Sequence, residues 1–399
     1  MSQAFDHIVI GAGISGLGAA HLSARKGFKT LVLEASERIG GCIHSLSFAA
    51  LGGFWVEAGG HTCFNSYGNL LSILDDLGLT QEVKPKPSLS YKLWRDGQRC
   101  SILSALHPLE ALGSLPRIFK EPKAGRNVRD YYSAILGSRN YQDLLRHAFQ
   151  AVICQPADDY PAEVLFRRKP RRKDVVKAFT FDRGISTIPE AIAAQNGLEV
   201  RTGQRIERIE RHAAGFQVEL ADGQILDAAY LTLAVPPDAA AQLLPRGFEA
   251  LRDLVARIPM SELETLVLVF RREDLKALKP FAGLIGVEAP FYSAVSRDFL
   301  PDGGYRGLAF HFRPVALTLE EQLQVACAAL GVGPEQVIAK QRVHNRLPAL
   351  RAGHLGLVEQ IDRALAGERL GMTGNWFIGI SMEDALTRSR LEHRRLFGG

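Results

Sequence analysis

The chain has 399 residues, more than the roughly 250 to 300 at which a single hydrophobic core stops growing, so we expect two domains. Hydrophobic residues make up 46% and charged residues 23% of the chain, a globular composition that excludes a disordered protein. The net charge of +5 is too small to indicate a nucleic-acid-binding protein, and aromatic and basic residues are not interleaved.

Signals for export or membrane insertion are missing from the sequence pattern. No apolar run reaches the ~18 to 20 residues that cross a bilayer, and the segment from Met1 to His7 lacks the features of a signal peptide. The five cysteines are widely spaced without a CxxC pair, so the sequence predicts neither a disulfide framework nor a metal site. We therefore expect a cytoplasmic protein.

The first fifty residues predict one strand, helix and strand unit. An apolar strand over 7–11, helical periodicity over 14–26 and a second apolar strand over 29–34 follow one another. The second strand ends in Glu34, at the offset where an acidic side chain accepts hydrogen bonds from an adenosine ribose. An acidic group there disfavours a 2′-phosphate on that ribose.

A GxGxxG motif joins the first strand to the helix, and this context makes the motif informative. Gly11 permits the tight turn, Gly13 lets backbone approach a pyrophosphate, and Gly16 lets the helix pack closely on the strand. Amides near Ile14 and Ser15 would face the phosphates at the positive end of the helix. The sequence therefore predicts a dinucleotide site.

The rest of the chain alternates between cap-like stretches and sheet. From about 69 to 181 the pattern is mostly helical and irregular, and a second cap-like stretch runs from about 245 to 344. Between and after them the chain returns to a sheet, with a hairpin turn at Asp222-Gly223. The individual expectations are strands at 198–201, 205–210, 216–220, 230–235 and 265–270 and helices at 319–330 and 385–396.

This order predicts an α/β fold, with a Rossmann-like nucleotide-binding domain and an interleaved α+β substrate or cap domain. We assign residues 1–68, 178–245 and 345–399 to the first domain. Residues 69–177 and 246–344 form the second.

The segment after Glu34 distinguishes FAD from NAD as the bound dinucleotide. A basic residue, Arg38, and two adjacent glycines, Gly40 and Gly41, follow the acidic residue, and here the chain resembles the FAD-dependent amine oxidase superfamily. The resemblance implies FAD, with this stretch along the pyrophosphate and ribityl chain. Cys42 stands where that superfamily usually has arginine, so the local contact differs.

Two further stretches resemble the same superfamily. The run over 57–61 looks like the segment that passes the isoalloxazine ring, with Gly59, Gly60 and His61 at the site. His61 is a catalytic candidate, although a lone histidine is more often a structural group. Near residue 184 a glycine turn precedes a helix, and the backbone of Ile206 is the expected contact of the adenine.

The end of the chain carries the second specific motif. The run from Gly374 and Asn375 to Met382 closely resembles the C-terminal FAD motif of protoporphyrinogen oxidases. The Ser381 to Asp384 segment has the form of a capping box, which predicts the start of a helix. If the positive end of that helix points at the flavin pyrimidine, amides near Met382 would stabilise the negative charge of the reduced flavin. Trp376 is a second catalytic candidate, with core packing as the alternative interpretation.

A basic run over 167–173 holds six positive charges in seven residues. It could contact acidic lipid, a carboxylated substrate or a partner, but a solvated surface loop is the favoured interpretation. Contact with a membrane surface is therefore not the favoured expectation.

The resemblance implies an FAD-dependent oxidase or dehydrogenase, in which hydride passes from a small organic substrate to flavin N5. An amine is one candidate substrate, and dioxygen or an unknown acceptor would reoxidise the flavin. Two alternatives stay open. One is a flavin-dependent isomerase resembling UDP-galactopyranose mutase, and the other is a non-catalytic flavoprotein that binds a partner.

Overall fold

The computed structural model describes residues 3–314 and 316–398, so Met1 and Ser2, with which the segment lacking signal-peptide features begins, lie outside the described residues. The strands are β1 (Gln3–Ile10), β2 (Thr30–Leu33), β3 (Ser45–Phe48), β4 (Phe54–Glu57), β5 (Cys63–Phe64), β6 (Lys84–Pro85), β7 (Tyr91–Arg95), β8 (Gln98–Ser101), β9 (Ala178–Thr180), β10 (Leu198–Arg201), β11 (Ile206–His212), β12 (Gly215–Leu220), β13 (Ile225–Leu233), β14 (Met260–Arg271), β15 (Gly283–Gly286), β16 (Phe291–Ser296), β17 (Tyr305–Phe312), β18 (Val337–Pro348) and β19 (Leu370–Met372). The α-helices are α1 (Ile14–Arg25), α2 (Gly68–Asp76), α3 (Pro108–Ser114), α4 (Val128–Leu136), α5 (Ser138–Asn140), α6 (Arg146–Ile153), α7 (Thr187–Ala193), α8 (Pro237–Leu243), α9 (Glu249–Val255), α10 (Leu319–Leu330), α11 (His354–Leu365) and α12 (Met382–Phe397).

The first sheet has the order β10-β2-β1-β13-β12-β11, and β19 pairs with the end of β13. The strands β10, β2, β1, β13 and β19 run parallel. Strand β12 pairs antiparallel with both β11 and β13, and the predicted hairpin turn joins it to β13. The sheet thus joins the start, middle and end of the chain, and together with its covering helices it gives the predicted α/β class.

Both faces of this sheet are buried. Successive residues of a strand point to opposite faces, so neighbouring residues belong to different cores. In β1, Ile8 and Ile10 pack into a core with α8, α9 and α11, whereas Val9 packs into another core with α1, α2 and α7. Helix α2 belongs to this second core through Leu70 and Leu74, which are fully buried.

The second sheet has the order β18-β14-β17-β16-β15-β7-β8 and is antiparallel except for the pair β15 and β7. Strand β14 pairs along its length with both β17 and β18. One face packs against α10, and the other packs against β4 through Val267 and Val269. Helix α10 has the predicted bounds, and a capping box from Thr318 and Glu321 defines its start.

Two local details differ from the sequence-based expectations. The stretch over 69–181 is mostly helical and irregular, as predicted, but it also holds the hairpin of β7 and β8, which completes the second sheet. Its turn is Asp96-Gly97, with φ of 50° and 72°. An Asp-Gly pair is typical of a hairpin turn, but a prediction from apolar periodicity alone does not use it. Helix α12 begins at Met382 rather than Ala385, because Ser381 caps it by accepting the Asp384 N–H at 3.1 Å.

Candidate functional site

The glycine motif after β1 forms a tight turn against the sheet. Gly11 has φ of 104°, and its N–H donates to the Leu33 carbonyl at 2.8 Å. A Cβ on Gly16 would lie 1.9 Å from the Gly11 carbonyl oxygen, so a side chain there would force α1 away from the turn. These two glycines are therefore required by packing.

Gly13 is different, because it faces open space. A Cβ on Gly13 would meet only the Gly41 Cα, at 4.0 Å. Gly13 is also the N-cap of α1 and has no side chain to bond the first amides, which include those of Ser15 and Gly16. This cradle at the positive end of a helix, beginning at Ile14, suits a phosphate.

Glu34 lies beside this turn at the end of β2. Its carboxylate accepts the Ala12 N–H at 2.8 Å and the Ser36 N–H at 2.9 Å. The Gln204 N–H donates to the Glu34 carbonyl at 2.8 Å, two residues before Ile206 begins β11. The proposed ribose and adenine contacts therefore lie in neighbouring segments.

The second glycine pair closes over the turn. Gly40 has φ of 98°, Gly41 has φ of 57°, and the Gly40 N–H donates to the Ala12 carbonyl at 2.8 Å. The Arg38 guanidinium donates to backbone carbonyls of this loop, including that of Gly41 at 2.7 Å. Arg38 thus holds the loop in shape. Cys42 contributes its carbonyl, which accepts the Gly60 N–H at 2.9 Å.

The segment that precedes His61 packs against this loop. A Cβ on Gly59 would lie 1.9 Å from the Cys42 carbonyl oxygen, so only glycine permits this approach. The structure therefore brings Gly59, Gly60 and His61 next to the loop that holds Gly40 and Gly41.

Half-buried His61 is the first of three linked side chains that the sequence did not indicate, and the other two, His311 and Thr265, are buried. The Nε2 atoms of His61 and His311 are 2.8 Å apart, and the Nδ1 of His311 is 3.0 Å from the Thr265 Oγ1. His311 is on β17 and Thr265 is on β14, at paired positions of the second sheet. The histidine chain thus joins the His61 segment to the second sheet.

Burial keeps this histidine pair uncharged. It lowers the pKa of His311 to about 4, and burial, His311 and Lys86 together lower the pKa of His61 well below its usual value. Between two neutral rings, one Nε2 donates its hydrogen and the other accepts it. Lys86 donates to the His61 carbonyl at 2.7 Å, and burial lowers its pKa to about 8.

Two ring nitrogens near the glycine loops are buried and have no partner among the described residues: the Nδ1 of His44 and the Nδ1 of His61. A buried polar atom without a partner is costly in a folded protein and often marks a place where a ligand binds. Their positions beside Gly41 and Gly60 fit a bound group with polar edges.

Glu57 ties this region to the glycine turn at residue 184. Its carboxylate accepts the Ile185 N–H at 2.9 Å and the Ser45 hydroxyl at 2.8 Å. Gly184 has φ of 81° and precedes α7. Burial raises the pKa of Glu57 to about 7, which the two hydrogen bonds and the nearby cations oppose.

The C-terminal motif meets the N-terminal one. The Ser389 hydroxyl of α12 donates to the Ser15 carbonyl at 2.7 Å, and Gly18 of α1 packs against Leu386. Met382, at the first turn of α12, packs against the same core as Ile14. The helix that follows the C-terminal motif thus packs along the helix that follows the glycine motif.

Some predicted residues take other places. Trp376 is 1% exposed in the core of the first sheet, stacks on Phe377 and donates its indole N–H to the Val235 carbonyl at 3.1 Å. This placement favours the packing interpretation of Trp376 over a catalytic one. Gly374 is buried and Asn375 is half-buried in the loop before Trp376. The predicted capping box at Ser381 is only half formed, because the Asp384 carboxylate binds the Ser381 hydroxyl and Lys169.

The basic run over 167–173 is partly paired. Lys169 binds Asp384, and Arg172 binds both Asp75 and Asp174. Arg168, Arg171 and Lys173 are exposed, as expected for a solvated loop.

Neither a metal site nor a membrane span emerges from residues 3–314 and 316–398. No group of three or more His, Cys, Asp and Glu side chains there could hold a metal ion. No helix in the described part of the chain is long and apolar enough to cross a membrane.

Comparison with known proteins bears on this site. A family model described as flavin containing amine oxidoreductase matches residues 14–174 and 146–306. A Mycobacterium tuberculosis protein provisionally named as the flavin-containing monoamine oxidase AofH is 26% identical over 268 residues, 58% of this chain and 57% of that protein. The chain thus covers less than two thirds of that relative.

Solved structures share the fold. A protein provisionally named protoporphyrinogen oxidase from Exiguobacterium has a TM-score of 0.76 at 16% identity, covering 99% of this chain and 98% of that one. A putrescine oxidase bound to putrescine has a TM-score of 0.74 at 14% identity over the full length of both chains. At these identities the likeness concerns the fold.

Proposed function

We propose that the chain oxidises a small amine by hydride transfer to flavin N5, because it belongs to the flavin-containing amine oxidoreductase family. Membership of this family also confirms FAD, the cofactor expected from the sequence. The observation that carries the proposal is the approach of Gly13 to Gly41 together with the packing of α12 along α1, which brings Met382 and Ile14 to the same core. These segments contribute two positive helix ends and glycines with little side-chain bulk.

The proposed FAD contacts follow from this surface. The pyrophosphate would lie at Gly13, the adenosine at Glu34 and Ile206, and the flavin ring between the His61 segment and Met382. The full set is Gly11, Gly13, Ile14, Ser15, Gly16, Glu34, Arg38, Gly40, Gly41, Cys42, Gly59, Gly60, His61, Ile206, Gly374, Asn375 and Met382. Bound FAD supplies the hydride acceptor, and the protein supplies binding and orientation.

The histidine chain supports an amine substrate. Hydride leaves most readily from an amine whose nitrogen keeps its lone pair, and a neutral imidazole can accept a hydrogen bond from such a nitrogen. The pKa values of His61 and His311 keep both rings neutral. We therefore assign His61 as the substrate-facing residue and His311 as the residue that fixes its ring.

The division of labour between the two sheets is also a proposal. The first sheet with its helices would hold FAD, and the second sheet, which carries Thr265 and His311, would form the substrate side. The proposed domains keep the sequence-based boundaries, except that α2 joins the FAD side because it packs in that core. Dioxygen is the proposed acceptor, as befits an oxidase.

The test begins with an absorbance spectrum of the purified protein, followed by anaerobic mixing with primary amines, polyamines and amino acids. Bleaching of the oxidised-flavin band by one class supports the proposal and identifies the substrate class. A flavin that no donor reduces contradicts it and favours the isomerase or the non-catalytic flavoprotein. Protein that neither contains nor takes up FAD would refute the cofactor as well.

A further inference from the structure

Helix α12 begins with two carboxylates in its first turn, Glu383 and Asp384. Negative charges at this position offset the positive end of a helix and would weaken its attraction for an anion. The Glu383 carboxylate is engaged elsewhere, because it accepts the backbone N–H groups of Asn69 and Leu70 at about 3 Å, at the start of α2. Glu383 therefore caps a neighbouring helix.

Asp384 is neutralised by a residue from the basic run. Lys169 Nζ donates to the Asp384 Oδ1 at 2.7 Å and lies 3.3 Å from the Ser381 hydroxyl. The side chains of Lys169 and Asp384 are 22% and 10% exposed, so water screens this pair less than a surface pair. Lys169 Nζ also lies 5.5 Å from the centre of the Tyr67 ring.

The basic residues near Lys169 in the sequence do not pair with the start of α12. Arg172 pairs with Asp75 and Asp174 away from α12. Arg168 and Arg171 are exposed and make no ion pair within the described ranges. One charge of the basic run is thus directed to the start of α12.

We propose that Lys169 is a tuning residue of the flavin site: by neutralising Asp384, it preserves the positive end of α12 and so favours the anionic reduced flavin. This rests on the proposed function, which puts the flavin pyrimidine at the first turn of α12. Reduction adds two electrons and one proton to FAD, leaving one negative charge on the ring, and a positive helix end stabilises that charge.

The experiment is a reductive titration of the FAD-loaded enzyme with dithionite, in the presence of a reference dye that reports the midpoint potential. Lys169→Gln leaves the Asp384 charge uncompensated, and we expect the reduced form to be disfavoured by about tenfold relative to the oxidised form. For a two-electron couple this is a shift of about 30 mV to lower potential. Lys169→Arg keeps the charge and should stay close to the wild type.

Two further variants separate the mechanism from a folding defect. The double variant Lys169→Gln with Asp384→Asn removes both charges and should restore the wild-type potential. Asp384→Asn alone leaves the lysine charge in excess and should raise the potential, so a Lys169→Gln protein that fails to fold still leaves a test. Arg171→Gln, an exposed residue of the same run, should leave the potential unchanged.

An unchanged potential in both Lys169→Gln and Asp384→Asn overturns the inference, as does a double variant that stays as low as Lys169→Gln. If wild-type protein binds no FAD, the proposed function itself fails. Normal FAD binding with unchanged potentials refutes only the role of Lys169.

Discussion

At the scale of single residues, the histidine chain shows what the sequence pattern contains and what it lacks. His61 follows two glycines in a segment that resembles a flavin-binding stretch, so it could be named as a candidate from the sequence. His311 is 250 residues away, in an apolar strand where nothing distinguishes it from a packed histidine. Only the packing of the second sheet against the His61 segment brings the two rings together.

Replacing His311 tests its role in fixing His61. In His311→Leu the His61 ring loses a partner worth roughly 1.4 kcal/mol, so we expect flavin reduction by the amine to slow about tenfold. The amide oxygen of His311→Gln can still accept the Nε2 hydrogen of His61, so this variant should retain most of the rate. Stopped-flow absorbance measures both, and FAD content should match the wild type.

The matched control for this experiment is His344→Leu, since His344 lies on β18 of the same sheet and is exposed beside Glu262. Its reduction rate should equal that of the wild type. Equal rates for His311→Leu and His344→Leu would remove His311 from the site.

Glu57 gives a prediction on pH. Burial raises its folded pKa from 4.5 to about 7, so the folded protein holds this proton more tightly than the unfolded chain. The resulting stabilisation is complete below about pH 4.5 and is lost as the pH rises through 7. Glu57→Gln cannot ionise and does not lose stability in this window.

The measurement is the melting temperature of wild type and Glu57→Gln between pH 5 and 8. We expect the difference, variant minus wild type, to become more positive as the pH rises. Amide geometry preserves an acceptor for the Ile185 N–H, so the fold should be kept. A difference that does not change with pH would show that Glu57 is already ionised at pH 5.

At the scale of elements, the sequence predicted what strong local signals specify. The strand, turn and helix unit at the start, the hairpin at Asp222-Gly223 and the bounds of α10 all follow from short-range patterns. The hairpin of β7 and β8 was missed because only Leu93 is buried in β7, so the strand lacks a continuous apolar signal. Tertiary pairing with β15 completes it.

In the glycine turn, Gly16 is required by packing, whereas Gly13 is proposed to bind phosphate. Gly16→Ala would place a Cβ against backbone and should destabilise the protein, whereas Gly13→Ala meets open space. We therefore expect Gly13→Ala to fold with normal apoprotein stability but to bind FAD at least tenfold more weakly, because its methyl group occupies the phosphate cradle. FAD titration by fluorescence and thermal melting of apoprotein test this.

Gly356→Ala is the control for the Gly13 experiment. Gly356 is exposed in α11 with nothing within 4 Å of an added Cβ, so both FAD affinity and stability should be kept or slightly improved. Unchanged FAD affinity in Gly13→Ala would argue against the phosphate position.

At the scale of the whole molecule, the proposed cofactor site depends on the two ends of the chain coming together. Strand β19 adds to β13 at Leu231 to Leu233, and the chain then passes into α12, which packs along α1. The order of segments predicted an interleaved sheet. It could not predict which side chains touch, because the contact between α1 and α12 depends on Gly18, a glycine that no local motif requires.

Gly18 therefore tests whether flavin binding depends on this assembly. A Cβ on Gly18 would lie 2.3 Å from the Leu386 Cδ2, so Gly18→Val should push α12 away and cost about 1 to 3 kcal/mol, with weaker FAD binding. Leu386→Ala in the same chain makes room for the valine, and the double variant should recover part of both losses. Gly356→Val adds the same side chain to an exposed helix, and its FAD affinity should not change. Urea unfolding and FAD titration would be measured on the wild type, Gly18→Val, the double variant and Gly356→Val. A loss of stability without loss of FAD affinity in Gly18→Val would mean that the flavin site does not require α12 in this position.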